Sequence, residues 1–408
     1  MALWTVFFVV LIDLLGFGIV LPLLPFYATQ FNASPVTIGL LYGVYSLSQL
    51  IFSPLWGSWS DRIGRRPIMM VSTFGAAVSY LIFAFSHTLG LLFLSRTLAG
   101  VMGGNISAAQ AYVADVTSHE DRARGMGMIG AAFGIGFTLG PALASLLIHP
   151  GLYQALSRAG WAEAALWQEN RYAVPGFFAC LLSAISFALV VFKLPESHPP
   201  SSREDPERIR RNSLFSGAFW RALFGTSSKT LSFLFLCSVI LAIGQSSLYS
   251  AFPLFCKKAL LLPAEDVGLL FGWMGLVAVF IQGGLIRILV KKFGEKKLFL
   301  TGNIVMAAGL ALIPWAGNKI QLTEALCLLG VGGSLNGPTL VSLISKSAPP
   351  RDVGANLGNA QGLSALGRVI GPTWGGWLFG MSAKTPFLLT ALLVSVTIYV
   401  GFKIQDGT

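Results

Sequence analysis

Charge is scarce in this chain of 408 residues. Asp, Glu, Lys and Arg make up 11% of it, where a soluble globular domain carries about a quarter. That shortage excludes a domain kept in water by an ionic surface. Cysteine is sparse too. Cys180, Cys237, Cys256 and Cys327 are scattered and form no CxxC pair, so neither a disulfide framework nor a metal site of that kind is indicated. The four histidines, His87, His119, His149 and His198, fall in loops or at the ends of apolar runs. A buried histidine proton relay is therefore not expected. No buried nucleophile–base pair or metal cluster emerges, which argues against a membrane enzyme.

Apolar residues are what the chain has: AVILMFWYC make up 54%, and the mean hydropathy is +0.71. Runs of roughly 20 apolar residues recur from end to end, each long enough to cross a bilayer as a helix. They are too long and continuous for barrel strands, and a lipid-embedded backbone must satisfy its own polar groups. Twelve spans are expected, near 3–27, 36–58, 67–86, 91–115, 125–148, 173–193, 231–256, 267–290, 298–316, 321–345, 356–380 and 385–403. The first is too long for a signal-peptide core, lacks a basic leader and contains Asp13, so it is expected to remain in the mature protein.

The net charge of +11 has a distribution that explains it. With both termini on one side, that side holds 20 of the 28 Lys and Arg, the other holds 6, and Arg96 and Arg368 lie inside spans. Both termini are therefore expected in the cytoplasm. The surplus is an orientation signal, not a nucleic-acid footprint.

Residues 194–230 interrupt the pattern. "KLPESHPPSSREDPERIRRNS" is charged and Pro-rich and reads as a linker. "LFSGAFWRALF" after it is aromatic and amphipathic, and suits either the membrane surface or an extension of span seven. The expected organisation is a six-helix half over 1–193, a cytoplasmic linker over 194–230 and a second six-helix half over 231–408. An offset of 231 brings Asn105 onto Asn336, Asp121 onto Asp352, Gly136 onto Gly367, Gly140-Pro141 onto Gly371-Pro372 and Pro22 onto Pro253. "IRILVKKFGEKK" after span eight echoes "GSWSDRIGRR" after span two, one residue out of step. Fixed-offset similarity indicates duplication. The fold class is an all-α integral membrane protein with twelve transmembrane helices in two pseudo-symmetric six-helix halves, an architecture used by transporters.

Four motifs then carry a family resemblance over nearly the whole chain. "GSWSDRIGRRP" (Gly57–Pro67) resembles the loop 2–3 signature of the major facilitator superfamily. "DLLGFGIVLPLLP" (Asp13–Pro25) resembles the first-span motif of its drug:proton antiporter branch. "RTLAGVMGG" (Arg96–Gly104) resembles the fourth-span Arg motif, and "GAAFGIGFTLGPAL" (Gly130–Leu143) the fifth-span antiporter motif. The group it resembles within that branch is the tetracycline-resistance-like exporters. Tetracycline exporters carry further acids in spans three and nine, where this chain has Ser79, and Asn303 and Met306. Their eighth-span His is missing from "GWMGLVAVFIQGG". The resemblance implies multi-pass residence in the cell (inner) membrane. It implies a small-molecule substrate, protons as the coupling ion and the proton gradient as energy source, with no cofactor and no nucleic acid. The working unit is expected to be a monomer.

The resemblance also assigns roles. In Gly57, Asp61, Arg62, Gly64, Arg65 and Arg66 it implies a cytoplasmic latch. Asp61 would face the start of span eleven near Gly354–Asn356, and the arginines would meet Asp115 at the end of span four. The bland alternative is plain positive-inside anchoring. The second-half copy has Lys291 in place of Asp61, so a weaker latch is expected there. Asp13 lies mid-span, where an ionised carboxylate is costly unless paired or hydrated. Burial raises an Asp pKa and a nearby cation lowers it, so Asp13 is the candidate proton carrier, with helix-to-helix hydrogen bonding as the alternative. Arg96 either tunes Asp13 or holds helix backbone. Arg368 has Phe137 at its offset position, and either counters Asp13 or draws an anionic substrate group. Spans 1, 4, 7 and 10 line the cavity in this superfamily. Asn105, Gln110, Gln245 and Asn336 are thus candidate cavity residues, along with Gln361 and Arg368. Gly130, Gly134, Gly136, Gly140 and Pro141 let span five approach a neighbour closely or bend. "GMGMIG" at 125–130 matches GxGxxG, but no strand precedes it, so it is not a dinucleotide fingerprint.

The leading function is proton-coupled export of small, mostly apolar or amphipathic compounds by alternating access. The alternative within transport is an organic-anion or metabolite carrier using Arg368 or Arg96. A non-transporting receptor on the same fold is the remaining class.

Overall fold

The computed structural model describes residues 2–118, 121–160, 171–197, 229–349 and 353–403; for residues 105, 122–124, 354 and 355 it describes the backbone alone. Among the described residues there is no strand. The helices are α1 (Ala2–Gln30), α2 (Pro35–Ile63), α3 (Arg65–Ala84), α4 (Leu89–Met102), α5 (Ile106–Val116), α6 (Arg122–Ile148), α7 (Pro150–Arg158) and α8 (Ala173–Lys193). They continue as α9 (Lys229–Ala259), α10 (Ala264–Phe280), α11 (Ile286–Phe293), α12 (Glu295–Leu312), α13 (Lys319–Ser347), α14 (Val353–Met381) and α15 (Thr385–Lys403). Among the described residues, eleven stretches, with α4–α5 and α10–α11 each counted as one, are long and apolar enough to cross a membrane. α14 has the length, at 29 residues, but Asn356, Asn359, Gln361 and Arg368 dilute its apolar run.

Start signals are local. Thr88 caps α4 by accepting from the Leu91 N–H, and Asn318 caps α13 through the Gln321 N–H. Proline sits inside α1, α2, α6, α9, α13 and α14, as membrane helices tolerate when neighbours re-satisfy the freed backbone groups. Among the described residues, two spans are interrupted part-way along their length. A 3-10 turn over Gly103–Asn105 divides α4 from α5, and a π-helical stretch over Ile281–Leu285 divides α10 from α11. Both fall at paired glycines, Gly103-Gly104 and Gly283-Gly284.

The first break is well satisfied. Trp56 Nε1 donates to the Val101 carbonyl at 2.5 Å, Ser72 Oγ to Met102 at 2.7 Å and Gln49 Nε2 to Gly103 at 3.0 Å. Three successive carbonyls thus find side-chain donors, which a lipid-embedded turn requires. Large apolar side chains such as Phe192, Ile320 and Phe402 are exposed, the surface a bilayer would cover.

The chain packs as two compact units. One comprises Met1–Asn32, Leu47–Ser216 and Ala264–Gly272; the other comprises Ala33–Ser46, Gly217–Pro263 and Trp273–Thr408. The grouping cuts through α2 and α10 instead of falling at the linker. Gly39, at the start of α2, lies against the Thr373 backbone of α14, and Gly268, in the first turns of α10, lies against Pro141 and Ser145 of α6. In the first unit the core gathers Val6, Val10, Leu14, Trp56, Met69 and Tyr112. The aromatic stretch Leu214–Phe224 and the loop residues Trp161 and Trp167 lie outside the described residues. Of the outer loop, α7 is described, capped by His149 Nδ1 accepting from the Gly151 N–H. Burial pushes the Tyr153 hydroxyl on α7 up to about 12.

Candidate functional site

The turn between α2 and α3 is built around Arg65. Its Nε donates to Asp115 Oδ2 at 3.0 Å, and its Nη1 donates to Asp61 Oδ1 at 2.5 Å and to Ser60 Oγ at 2.6 Å. Arg65 and Asp115, expected to meet, are brought together within one unit, and Asp61, expected to face the start of span eleven, lies on the same guanidinium. Arg65 is buried there, its side chain only 8% exposed, so its charge is compensated by two carboxylates. Arg66 Nη2 donates to the Val191 carbonyl at 2.6 Å. Arg62 is exposed. Gly57 faces Ser107 on α5 at ordinary contact distance.

Glu196 was not foreseen. It lies just beyond α8, inside the stretch that reads as linker, and its carboxylate accepts from the backbone N–H of Arg65 at 2.9 Å and of Arg66 at 3.2 Å. An anion at a helix N-terminus satisfies orphan donors and meets the positive end of the dipole. The neighbouring residues follow it in. Tyr112 donates to the Pro195 carbonyl at 2.9 Å and Ser197 to Asp115 at 3.1 Å. The only sequence signal was a single acid in "KLPES", overshadowed by the basic run after it.

Asp13 is partly buried on α1 between buried Ile12 and Leu14. It is the only charged residue of that 29-residue helix. Just beyond it α1 meets α6 at backbone distance: a Cβ on Gly136 would stand 2.5 Å from Leu14 Cβ, and one on Gly140 would stand 2.6 Å from Gly18 Cα. Gly136 and Gly140 therefore have the close-approach role their motif implies, with Pro141 against Gly18. Gly130 and Gly134 do not, since nothing lies within 4 Å of a Cβ at either.

Arg96 is 2% exposed. Its guanidinium lies 4.9 Å from the Phe83 ring centroid and 5.9 Å from that of Tyr80, a cation–π setting worth most when desolvated. The Tyr80 hydroxyl rests on Gly16, about one turn beyond Asp13. Arg96 thus reaches the helix of Asp13 by way of an aromatic ring, an arrangement that residue spacing did not suggest.

The cavity candidates separate. Gln110, Gln245 and Gln361 are exposed. Asn336 is 4% exposed and turned onto Gly302 of α12, with its Nδ2 at 3.6 Å from Met306 Sδ. Gly302 leaves the space that draws the amide inward. The side chain of Asn105 is outside the described atoms; its backbone closes the 3-10 turn. Arg368 is partly buried on α14, and the phenols of Tyr249 and Tyr45 are its electrostatic neighbours. Ser79 and Asn303, where the tetracycline exporters carry acids, are both fully buried. Among the described residues no group of three or more His, Cys, Asp or Glu is placed to hold a metal ion.

Membrane-length helices built twice on one plan, one acid in the first of them and an ion-paired basic turn define a class: a membrane transporter of the duplicated six-helix kind. The Major Facilitator Superfamily model matches residues 6–288 and, in a second match, 234–404, and the chain belongs to that family. It is 28% identical over 407 residues to the tetracycline resistance protein, class H, of Pasteurella multocida, with 94% of each chain covered. It is 27% identical to multidrug resistance protein 2 of Bacillus subtilis (strain 168), covering 96% of this chain and 93% of the relative. Among solved structures, the human organic anion transporter TETRAN superposes with a TM-score of 0.69 at 24% identity, with 98% of both chains covered. That likeness speaks to the fold.

Proposed function

We propose that the protein is a proton-coupled antiporter that exports small hydrophobic or amphipathic compounds across the cell membrane by alternating access, acting as a transporter and not as an enzyme. The carrying observation is Asp13, one carboxylate in an otherwise uncharged membrane helix, set beside the tight α1–α6 seam. An acid held there has two stable conditions, protonated when dry and ionised when hydrated or near a cation. Exposure to one side and then the other lets it load and release a proton while cargo moves the opposite way. The glycine seam supports this by leaving no space for water between α1 and α6. Kinship with tetracycline and multidrug resistance proteins over more than nine-tenths of the chain supports the direction and the cargo type.

In this reading both termini are cytoplasmic, the unit is a monomer, and no cofactor takes part. The Arg65 cluster, with Asp61 and Asp115 on its guanidinium, is the cytoplasmic latch. The test is everted vesicles with an imposed proton gradient, a pH-sensitive dye and a panel of neutral, anionic and cationic amphiphiles. Wild type is expected to release protons on addition of one chemical class. Asp13→Asn is expected to abolish that response while the protein stays folded. Full gradient-driven transport by Asp13→Asn would remove Asp13 from the proton path.

A further inference from the structure

In the second unit, three helices that pack together carry polar side chains, two of them tyrosines near Arg368. On α14, Gln361 and Arg368 are two turns apart on one face; on α9, Gln245 and Tyr249 are one turn apart; on α2, Tyr42 and Tyr45 are one turn apart. Tyr249 and Tyr45 face the guanidinium electrostatically, and the Tyr42 and Tyr249 rings lie 6.4 Å apart. Gly367 and Gly371 draw α14 onto the α9 backbone, with a Cβ on Gly367 standing 2.7 Å from the Val239 carbonyl. Neighbouring Gly43 of α2 lies close to Val369 and Thr373. Arg368 thus projects from the strip of α14 between the two helices that carry the tyrosines. Gln361, on the same face of α14 as Arg368, is exposed, so that face is open to a ligand.

Among the described residues no carboxylate is paired with Arg368, whereas Arg65 has two. A guanidinium at membrane depth without an anion is expensive and marks function by default. The fold does not require it. At the equivalent place in the first unit stands Phe137, packed at 5.6 Å on Phe17 and at 6.3 Å on Phe133. One copy of the repeat fills the position with an aromatic cluster, and the other puts a cation there with two phenols as its electrostatic neighbours.

We infer that Arg368, Tyr249, Tyr45 and the amides of Gln245 and Gln361 form an anion subsite that takes the carboxylate or sulfonate of a planar aromatic amphiphile. The guanidinium fork accepts such a group with two parallel hydrogen bonds. Tyrosine rings offer a flat apolar wall with hydroxyl donors at its edge. This rests on the reading of the protein as a carrier of small amphiphiles, and it narrows the cargo to aromatic anions.

The test is direct binding to the full-length protein in detergent, by calorimetry, of naphthalene carboxylate, naphthalene sulfonate and neutral naphthalene carboxamide. The anions are expected to bind at least about tenfold tighter than the amide, as a charged hydrogen-bond pair implies. Arg368→Gln is expected to erase that preference, and Arg368→Lys to keep part of it, with folding checked by thermal unfolding. Equal affinity for carboxylate and carboxamide in wild type overturns the proposal. So does a preference that survives Arg368→Gln, or the absence of saturable binding by either anion. The same ligands in the vesicle assay separate the two readings. Lost anion preference with proton-driven transport intact sinks the subsite alone; retained binding without proton movement sinks the antiport alone.

Discussion

Gly64 shows how much a single position fixes. Its φ of 115° lies where side chains are rarely tolerated, and a Cβ there would stand 2.5 Å from the Glu196 carboxylate. The residue lets the chain leave α2, reverse into α3 and present the Arg65 and Arg66 N–H groups to that carboxylate. Gly64→Ala is expected to cost about 1–3 kcal/mol from backbone strain, read as a fall in thermal unfolding temperature in detergent. Gly57→Ala, whose Cβ would make ordinary contact at 3.6 Å with Ser107 Oγ, is expected to change little. Similar losses in both would mean the turn does not depend on its backbone conformation. The sequence exposed Gly64, Asp61 and Arg65 because a tight basic cluster between apolar runs is conspicuous, and Asp115 only through the family resemblance. It hid Glu196, whose partner lies 131 residues away in a segment that composition marks as linker. It also left the surroundings of Asn336 open, since residue type and span number do not say whether an amide faces a cavity or a glycine on the next helix.

At the scale of elements, the spans were legible and their interruptions were not. Hydropathy placed the twelve segments close to their observed ends, because lipid demands length and apolarity together. The 3-10 turn in the middle of span four depends on donors supplied by Trp56, Ser72 and Gln49 from other helices, which no local pattern announces. The glycine motif of span five was legible as a motif but not residue by residue. Gly136 and Gly140 meet backbone, whereas Gly130 and Gly134 meet nothing. A pair of substitutions exposes the difference. Gly140→Ala drives a methyl into the Gly18 backbone, and is expected to separate α1 from α6, with a stability loss of about 1–3 kcal/mol. Gly134→Ala adds a methyl into open space within a helix and is expected to stabilise by about 0.4–1 kcal/mol. Thermal unfolding of the two variants side by side decides it, and a destabilised Gly134→Ala would indicate that this face needs room during transport.

Across the whole molecule the duplication carries one more consequence. The offset of 231 takes Asp115 to Lys346, and the one-residue shift in the loop copy takes Arg65 to Glu295. The structure joins both pairs: Arg65 to Asp115 at 3.0 Å, and Lys346 to Glu295 at 2.5 Å with Ser342 donating to the same carboxylate. In the second copy, Gly294 at φ 79° repeats the turn of Gly64. The second copy therefore keeps the contact with its charges exchanged, a feature obscured in sequence because Lys291 replaces Asp61. The two pairs differ in environment. The Arg65 side chain is 8% exposed and has three acceptors, while that of Lys346 is 62% exposed. Solvent screens the second pair, and an exposed ion pair contributes about 0–1 kcal/mol. Removing one partner of the first leaves two carboxylates without their cation, at about 2–3 kcal/mol. Arg65→Ala is thus expected to lower the unfolding temperature clearly, and Lys346→Ala to leave it within about 1 kcal/mol of wild type. Raising salt should erode the small Lys346 contribution first, since screening acts on exposed charges. Equal, salt-insensitive losses in the two variants would show that both copies hold their turns with the same strength, and that burial of Arg65 is not what makes the first one firm.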